Sequence, residues 1–84
     1  MPLTQPRQGS VSLGGHPWLA RMLDKARLDA EGTIGELDLV YPCPMDQRLL
    51  QQLGIAPATF QTIATTHSTD DDVLQALADA GAKL

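Results

Sequence analysis

The sequence predicts an all-α fold, a single compact domain of about four helices with an extended connector between the first helix and the second. Apolar residues recur at helical spacing in four separate stretches. Glycine, proline or a polar capping residue bounds each stretch. Because 84 residues leave little room for a second domain, we assign residues 1–12 to a flexible or extended arm and residues 13–84 to one helical domain.

The longest predicted helix covers residues 18–28 and stops at Gly32, a residue type that readily ends helices. Pro17 suits its first turn, where a missing N–H costs nothing. Its core stripe comprises Leu19, Leu23, Ala26 and Ala30, with Met22 and Trp18 beside them. Leu28 falls on the opposite face among charged residues, which predicts a central helix covered on two sides.

The segment 33–44 is ambiguous in the sequence. Leu37, Leu39 and Tyr41 alternate with other residues as in a strand. A lone strand has no partner within this chain, since no second run alternates in the same way. We therefore predict an extended connector laid across the helices, and strand pairing across a dimer is the alternative.

Three shorter helices follow the connector. Asp46 is expected to cap the first, which runs to Leu53 and is stopped by Gly54. The second begins at Pro57 and ends near residue 66, and the third begins with a capping box of Thr69 and Asp72. Their predicted buried residues are Leu49, Leu50, Leu53, Phe60, Ile63, Ala64, Val73, Leu74, Leu77 and Ala78.

Composition excludes several classes of function. A net charge of −4 argues against binding to nucleic acid or to acidic lipid. No apolar run approaches membrane-spanning length, and no signal peptide is recognisable. A single cysteine, Cys43, excludes an intramolecular disulfide, so we expect a cytoplasmic protein.

Three runs, LGGHPWLARMLDKARLDAEGTIGEL, CPMD and TDDDVLQAL, are similar to those of a family of small bacterial proteins catalogued as a domain of unknown function, number five thousand and sixty-nine. The resemblance covers residues 6–80. This chain departs from the family at Leu37, where an aromatic residue tends to follow the pair Gly35-Glu36. The resemblance implies a compact helical fold in the bacterial cytoplasm and supplies no reaction.

A charged cluster on the first helix is the main candidate site. As a structural ion-pair network it would comprise Arg21, Asp24, Lys25, Arg27, Glu36 and Asp46. As an anion site it would use Arg21 and Lys25, one turn apart, with backbone N–H groups of the Gly14-Gly15 turn. The two interpretations make opposite predictions for ligand binding.

The remaining candidates carry weaker signals. Cys43 would need His16 or His67 as a base to act as a nucleophile, and nothing in the sequence brings them together. The spacing of His67 and the acidic residues 70–72 matches neither a zinc nor a calcium site, and we predict no metal or cofactor. Trp18 is a candidate interface residue, because Trp is common in binding hot spots.

These observations yield three hypotheses of function. The first is a non-enzymatic cytoplasmic helical module that binds a protein partner or a second copy of itself. The second is a binder or sensor of a small anionic metabolite at Arg21, Lys25 and the Gly14-Gly15 turn. The third, a Cys43-based enzyme, lacks a complete catalytic constellation.

Overall fold

Four α-helices make up most of the chain in this computed structural model, which describes residues 5–84. They are α1 (Leu19–Glu31), α2 (Pro44–Leu53), α3 (Pro57–Thr66) and α4 (Asp70–Asp79). A 3-10 helix spans Ile34–Leu37, and two short strands, β1 (Ser12–Leu13) and β2 (His16–Pro17), form an antiparallel pair. The mostly helical class is confirmed. None of the helices in residues 5–84 is long and apolar enough to cross a bilayer.

Helix α1 is the centre of the domain and packs most extensively against α3. Leu19 and Leu23 are fully buried, and Leu28 on the opposite face is only 1 % exposed. The prediction of a central helix covered on two sides is therefore confirmed. Ala30, which we placed in the core stripe, is exposed, because it lies in the last turn of α1.

A tight hairpin precedes α1 and corrects the predicted start of the helix. Gly14 and Gly15 form its turn with φ of 58° and 81°, the pattern of a type I′ turn. A Cβ on Gly14 would lie 2.9 Å from the end of the Leu74 side chain, so the close approach also favours glycine. Pro17 belongs to β2, and helix α1 starts two residues later.

The segment 33–44 begins with a 3-10 helix and contains no strand. Local hydrogen bonds, Glu36 N–H to Thr33 O at 3.1 Å and Asp38 N–H to Gly35 O at 3.2 Å, satisfy its backbone without a sheet. The segment therefore forms no strand within the chain, and strand pairing across a dimer stays a prediction. Tyr41 is buried and donates to Pro57 O at 2.8 Å, which ties the segment to α3.

Capping explains where α2 and α4 begin and end. Cys43 is the N-cap of α2, and Asp46, predicted as the cap, lies three residues further on in a capping-box arrangement. The end of α2 at Gly54 has the expected Schellman bonds, including Ile55 N–H to Leu50 O at 3.1 Å. The predicted Thr69 cap is confirmed, since its hydroxyl accepts the Asp72 N–H.

The described part of the arm that precedes the hairpin contacts α1 and its N-cap residue. Gly9 O accepts the Trp18 N–H at 2.9 Å, and a Cβ on Gly9 would come within 2.5 Å of the indole. Pro6 is buried. Residues 1–4 of the predicted arm lie outside the described residues, and the part that is described is packed in an extended form with a two-residue turn.

Candidate ligand-binding cleft

A buried ion pair joins α1 to the start of α2. Lys25 Nζ lies 2.7 Å from Asp46 Oδ2, and the two side chains are 2 % and 0 % exposed. Burying two charges removes them from water at a cost of several kcal/mol per ion unless their contacts are nearly ideal. A pair in this position therefore requires a well-formed set of partners.

The Asp46 carboxylate has such partners. Its Oδ1 accepts the Trp18 indole N–H at 2.7 Å, and its Oδ2 accepts the Cys43 backbone N–H at 3.0 Å. Lys25 Nζ in turn donates to Cys43 Sγ at 3.1 Å. No buried polar side-chain atom in residues 5–84 lacks a partner. We call Trp18, Lys25, Cys43 and Asp46 the buried cluster.

A cleft of about 410 Å³ opens directly above the buried cluster. Trp18, Lys25 and Cys43 line it together with Arg21 from α1. Its other wall comes from the segment after the 3-10 helix, including Val40 and Pro42. Its volume is within the range of small-molecule sites, about 300–1,000 Å³.

Arg21 stands at this cleft with its guanidinium over the Trp18 ring, 5.4 Å from the ring centroid. Lys25 Nζ lies 5.9 Å from the same centroid. One Arg21 nitrogen donates to Arg7 O at 3.2 Å. Arg21 takes part in none of the three ion pairs found among residues 5–84. No carboxylate of these residues therefore pairs with its guanidinium.

Trp18 has an unusual backbone conformation at the centre of the site. Its φ of 75° and ψ of −23° place a bulky side chain in the left-handed region, where such residues are rare. Conformations of this kind cost about 1–3 kcal/mol and persist where surrounding contacts hold them, often at functional sites. Here the backbone N–H of Trp18 donates to Gly9 O, and the indole is held by its bond to Asp46 and by the stacked Arg21.

A second charged cluster lies on another face of α1, away from the buried cluster. Arg7 donates from Nε to Asp24 Oδ2 at 2.9 Å and from one terminal nitrogen to Asp70 Oδ2 at 2.7 Å. The other terminal nitrogen contacts both carboxylates, at 3.2 and 3.1 Å. We call Arg7, Asp24 and Asp70 the clasp, because it joins the arm, α1 and α4.

The clasp shifts the pKa values of Asp70 and Arg7. The Arg7 guanidinium, hydrogen-bonded to Asp70, holds the pKa of that carboxyl below its usual range. The pKa of Arg7 is raised, first by the hydrogen bond to Asp70 and then by that to Asp24. All three guanidinium nitrogens have acceptors, which makes the clasp a closed structural contact.

The predicted ion-pair network divides into separate contacts. Lys25 and Asp46 do meet, but Asp24 pairs with Arg7, which we had not included, and not with Arg21 or Arg27. Arg27 donates to the backbone oxygens of Ala64 and His67, both at 2.9 Å. Glu36 is exposed and forms no ion pair with any residue from 5 to 84.

The predicted anion site is also divided. Arg21 and Lys25 share the cleft, whereas the Gly14-Gly15 turn packs toward Leu74 and is not part of its lining. The hairpin separates those glycines from the start of α1, so their N–H groups are not the N-terminus of the helix. Among the other residues weighed, Cys43 lines the cleft, and His16 and His67 do not.

Sequence reasoning missed Arg7 entirely. It lies in the predicted arm, between proline and glycine, with no periodicity to place it. The only signal was the excess of carboxylates on α4, which has four aspartates and no basic residue and therefore requires cations from elsewhere. Asp46 was predicted both as a helix cap and as a member of the ion-pair network. Its complete burial was not predicted.

The helical architecture and this cleft define a small helical domain with an open, positively edged cleft beside a buried ion pair. The chain belongs to the family described as Domain of unknown function (DUF5069), whose model matches residues 3–83. That match covers nearly the whole chain. No curated protein matches it.

Proposed function

We propose that this domain is a non-enzymatic binding module whose cleft holds a small ligand with a carboxylate and an apolar body. The observation that carries the proposal is Arg21, stacked on Trp18 at the cleft with no carboxylate partner among residues 5–84. Arginine binds carboxylates through two parallel N–H bonds, and an aromatic ring beneath it keeps the guanidinium plane in place.

Charge accounting within the cleft supports an anion at Arg21. The charge of Lys25 is balanced by Asp46 at 2.7 Å, so Lys25 contributes chiefly to the shape of the floor. Asp38 also lines the cleft and is exposed, but it is not paired with Arg21. Removing the Asp38 charge should therefore strengthen anion binding.

The other wall of the cleft supports an apolar ligand body. Leu39, Val40 and Pro42 form that wall, and Val40 is 64 % exposed. Covering apolar surface stabilises a complex by about 25 cal/mol per Å². A ligand that fits both features places its carboxylate at Arg21 and its hydrocarbon against Val40.

One observation favours a second candidate, a protein partner or a second copy of the chain. Val40 lines the cleft with Trp18 and Arg21, and Met45, which is 46 % exposed, follows the Pro42–Pro44 segment in the chain. Trp and Arg dominate interface hot spots. Light scattering across a concentration range distinguishes self-association from a monomer, and a monomer at all concentrations removes the homodimer.

The cytoplasm suits both candidates. Cys43 lies beside Lys25 as a free thiol, and unpaired cysteines are kept reduced in the cytosol. Net charge of −4 also fits a protein that avoids nucleic acid and acidic membranes. We therefore place the proposed binding there.

The intrinsic fluorescence of Trp18 tests the binding function directly, since it is the chain's only tryptophan. Titration with acetate, hexanoate and decanoate should change its emission, with affinity rising by up to about fourfold per buried methylene. Alkylammonium ions of the same lengths should not bind. Equal binding of both series, or no saturable change with any carboxylate, would refute the proposal.

Matched variants locate the anion contact. Arg21→Gln should weaken decanoate binding about tenfold or more, because a charged hydrogen bond contributes about 1.5–3 kcal/mol. Arg48→Gln removes an exposed arginine of α2 that does not line the cleft and should leave affinity unchanged. Asp38→Asn should tighten binding severalfold, since it removes a like charge.

A further inference from the structure

Two nucleophilic side chains meet beneath the cleft. Lys25 Nζ lies 3.1 Å from Cys43 Sγ, although the residues are 18 positions apart in the chain. Both residues line the cleft, and Cys43 is partly exposed. Reactive cysteines occupy partly exposed sites near a positive charge, and the Lys25 ammonium supplies one here.

We propose that Cys43 and Lys25 form a peroxide-dependent, reversible sulfenamide crosslink, a covalent S–N bond between α1 and the N-cap of α2. The proposal rests on the geometry of the buried cluster and does not depend on the ligand proposed for the cleft. It assigns Cys43 a modification and not a catalytic role.

The first step needs hydrogen peroxide as the oxidant. The sulfur electron pair attacks one peroxide oxygen, the O–O bond breaks, and the thiol becomes a sulfenic acid while water leaves. One thiol and one peroxide are consumed for one sulfenic acid and one water. The cleft gives peroxide a route to the sulfur from solvent.

The second step needs no further oxidant. Asp46 Oδ2, 2.7 Å from Lys25 Nζ, accepts a proton from the ammonium, and the amine electron pair attacks the sulfenic sulfur. The S–O bond breaks, and the departing hydroxide takes a second proton from nitrogen and leaves as water. The product is an S–NH link with a protonated Asp46, so the step conserves charge.

The chain leaves the sulfenic acid few other intramolecular partners. Cys43 is the only cysteine, so no second thiol within the chain can form a disulfide. Sulfenic acids also condense with backbone nitrogen, but the nitrogen after Cys43 belongs to Pro44 and carries no hydrogen. Lys25 Nζ is the nearest side-chain nitrogen in contact with the sulfur.

The crosslink would change the cleft as well as the fold. It removes the positive charge of Lys25 from the floor beneath Trp18, whose indole remains bonded to Asp46. It also closes a loop between α1 and α2, which raises stability by restricting the unfolded chain. Oxidation is therefore expected to increase the thermal midpoint of the monomer.

Mass spectrometry of the intact, folded chain tests the proposal. Treatment with hydrogen peroxide should yield a monomer lighter by two hydrogen atoms, and dithiothreitol should restore the original mass. Trypsin should fail to cut after the linked lysine, giving a peptide of residues 22–27 joined to the peptide of residues 28–48. This mapping uses the unmodified sequence and does not depend on a variant that folds.

Two variants assign the nitrogen. Lys25→Arg keeps a positive charge near Asp46 but lacks the amine, so the lighter species should disappear while dimedone, a sulfenic acid probe, labels Cys43. Lys83→Arg changes the only other lysine and should leave the crosslink yield unchanged. Circular dichroism establishes that each variant is folded before oxidation.

Three outcomes would overturn the inference. The first is a gain of one or more oxygen atoms at Cys43 with no lighter monomer. The second is a lighter monomer in Lys25→Arg at the level of the original chain. The third is a disulfide-linked dimer as the sole reversible product.

Discussion

The buried cluster and the clasp both neutralise a charge on α1, yet they differ in exposure and in what surrounds them. Lys25 and Asp46 are 2 % and 0 % exposed, whereas Arg7 and Asp70 of the clasp are 33 % and 38 % exposed. Asp24 and Lys25 are neighbours in sequence. Adjacent helical residues point about 100° apart, so the two clusters serve different faces of the helix.

The comparison separates a structural contact from a site. In the clasp, all three guanidinium nitrogens have carboxylate acceptors, and the acceptors come from α1 and α4. In the buried cluster, the ion pair lies under an open cleft, next to a thiol and a strained tryptophan. Buried ion pairs often contribute less to stability than apolar packing of similar size. Stability alone therefore gives little reason for a buried ion pair under an open cleft.

The largest expected loss of stability comes from Asp46→Ala. This change leaves the Lys25 ammonium buried and removes the acceptor of the Trp18 and Cys43 N–H groups. We expect the free energy of unfolding to fall by about 3–5 kcal/mol, measured by urea denaturation. Because the free energy of unfolding of a small domain is low, we also expect Asp46→Ala to be partly unfolded in water without denaturant.

Two other variants calibrate that loss. Lys25→Met should cost less than Asp46→Ala, because the carboxylate keeps two N–H donors. Asp79→Ala removes an exposed carboxylate near the end of α4 and should change stability by no more than about 0.5 kcal/mol. Equal losses in Asp46→Ala and Asp79→Ala would contradict the placement of Asp46 in a buried, fully bonded cluster.

Arg7→Ala should have a smaller effect, a loss of about 2 kcal/mol. Asp24, whose side chain is 3 % exposed, would lose its cation but keep the hydrogen bond from the residue 7 backbone N–H. Thermal denaturation measures the change, and Arg48→Ala serves as the exposed-arginine control. A folded Arg7→Ala protein should bind the ligand with the affinity of the original chain, because the clasp is a structural contact and not part of the cleft.

The smallest expected effect is the acid response of Asp70. Its pKa is lower in the folded chain than in the unfolded chain because Arg7 donates to it. The carboxylate therefore stabilises the fold fully above its ordinary pKa of about 4 and loses that contribution as pH falls through the lower, folded value. Since Asp70 is 38 % exposed, the contribution is at most about 1 kcal/mol.

Asp70→Asn isolates this effect. The variant should be slightly less stable at pH 7, and the difference from the original chain should vanish in acid below the folded pKa of Asp70. Stability curves from pH 2 to pH 7 check this. A difference that grows as the pH falls would contradict the assigned sign.

Helices α2, α3 and α4 could be predicted because local interactions determine where each of them begins and ends. Gly54, Pro57 and Thr69 each act through neighbouring backbone groups, so the sequence alone is sufficient to place them. The 3-10 helix at Ile34–Leu37 was missed because Leu37, its last residue, begins an alternation with Leu39 and Tyr41 that is typical of a strand. Its distinguishing hydrogen bonds span only three residues and leave no periodic signal.

The site was only partly predictable for a different reason. Lys25 and Asp46 were grouped correctly by charge, but their complete burial depends on how α1 and α2 pack. Cys43 was placed between prolines without a partner, because its contact with Lys25 spans 18 residues. Contacts of that range are set by the tertiary fold, which residue patterns do not encode locally.

One heteronuclear NMR titration tests the central claim, that the cleft is a binding site and the clasp a structural contact. The Trp18 indole N–H reports on the buried cluster, and the Arg7 Nε–H, bonded to Asp24, reports on the clasp. Adding decanoate should shift the indole resonance in a saturable manner and leave the Arg7 resonance in place. Equal saturable shifts at both, or a shift at Arg7 alone, would contradict the account.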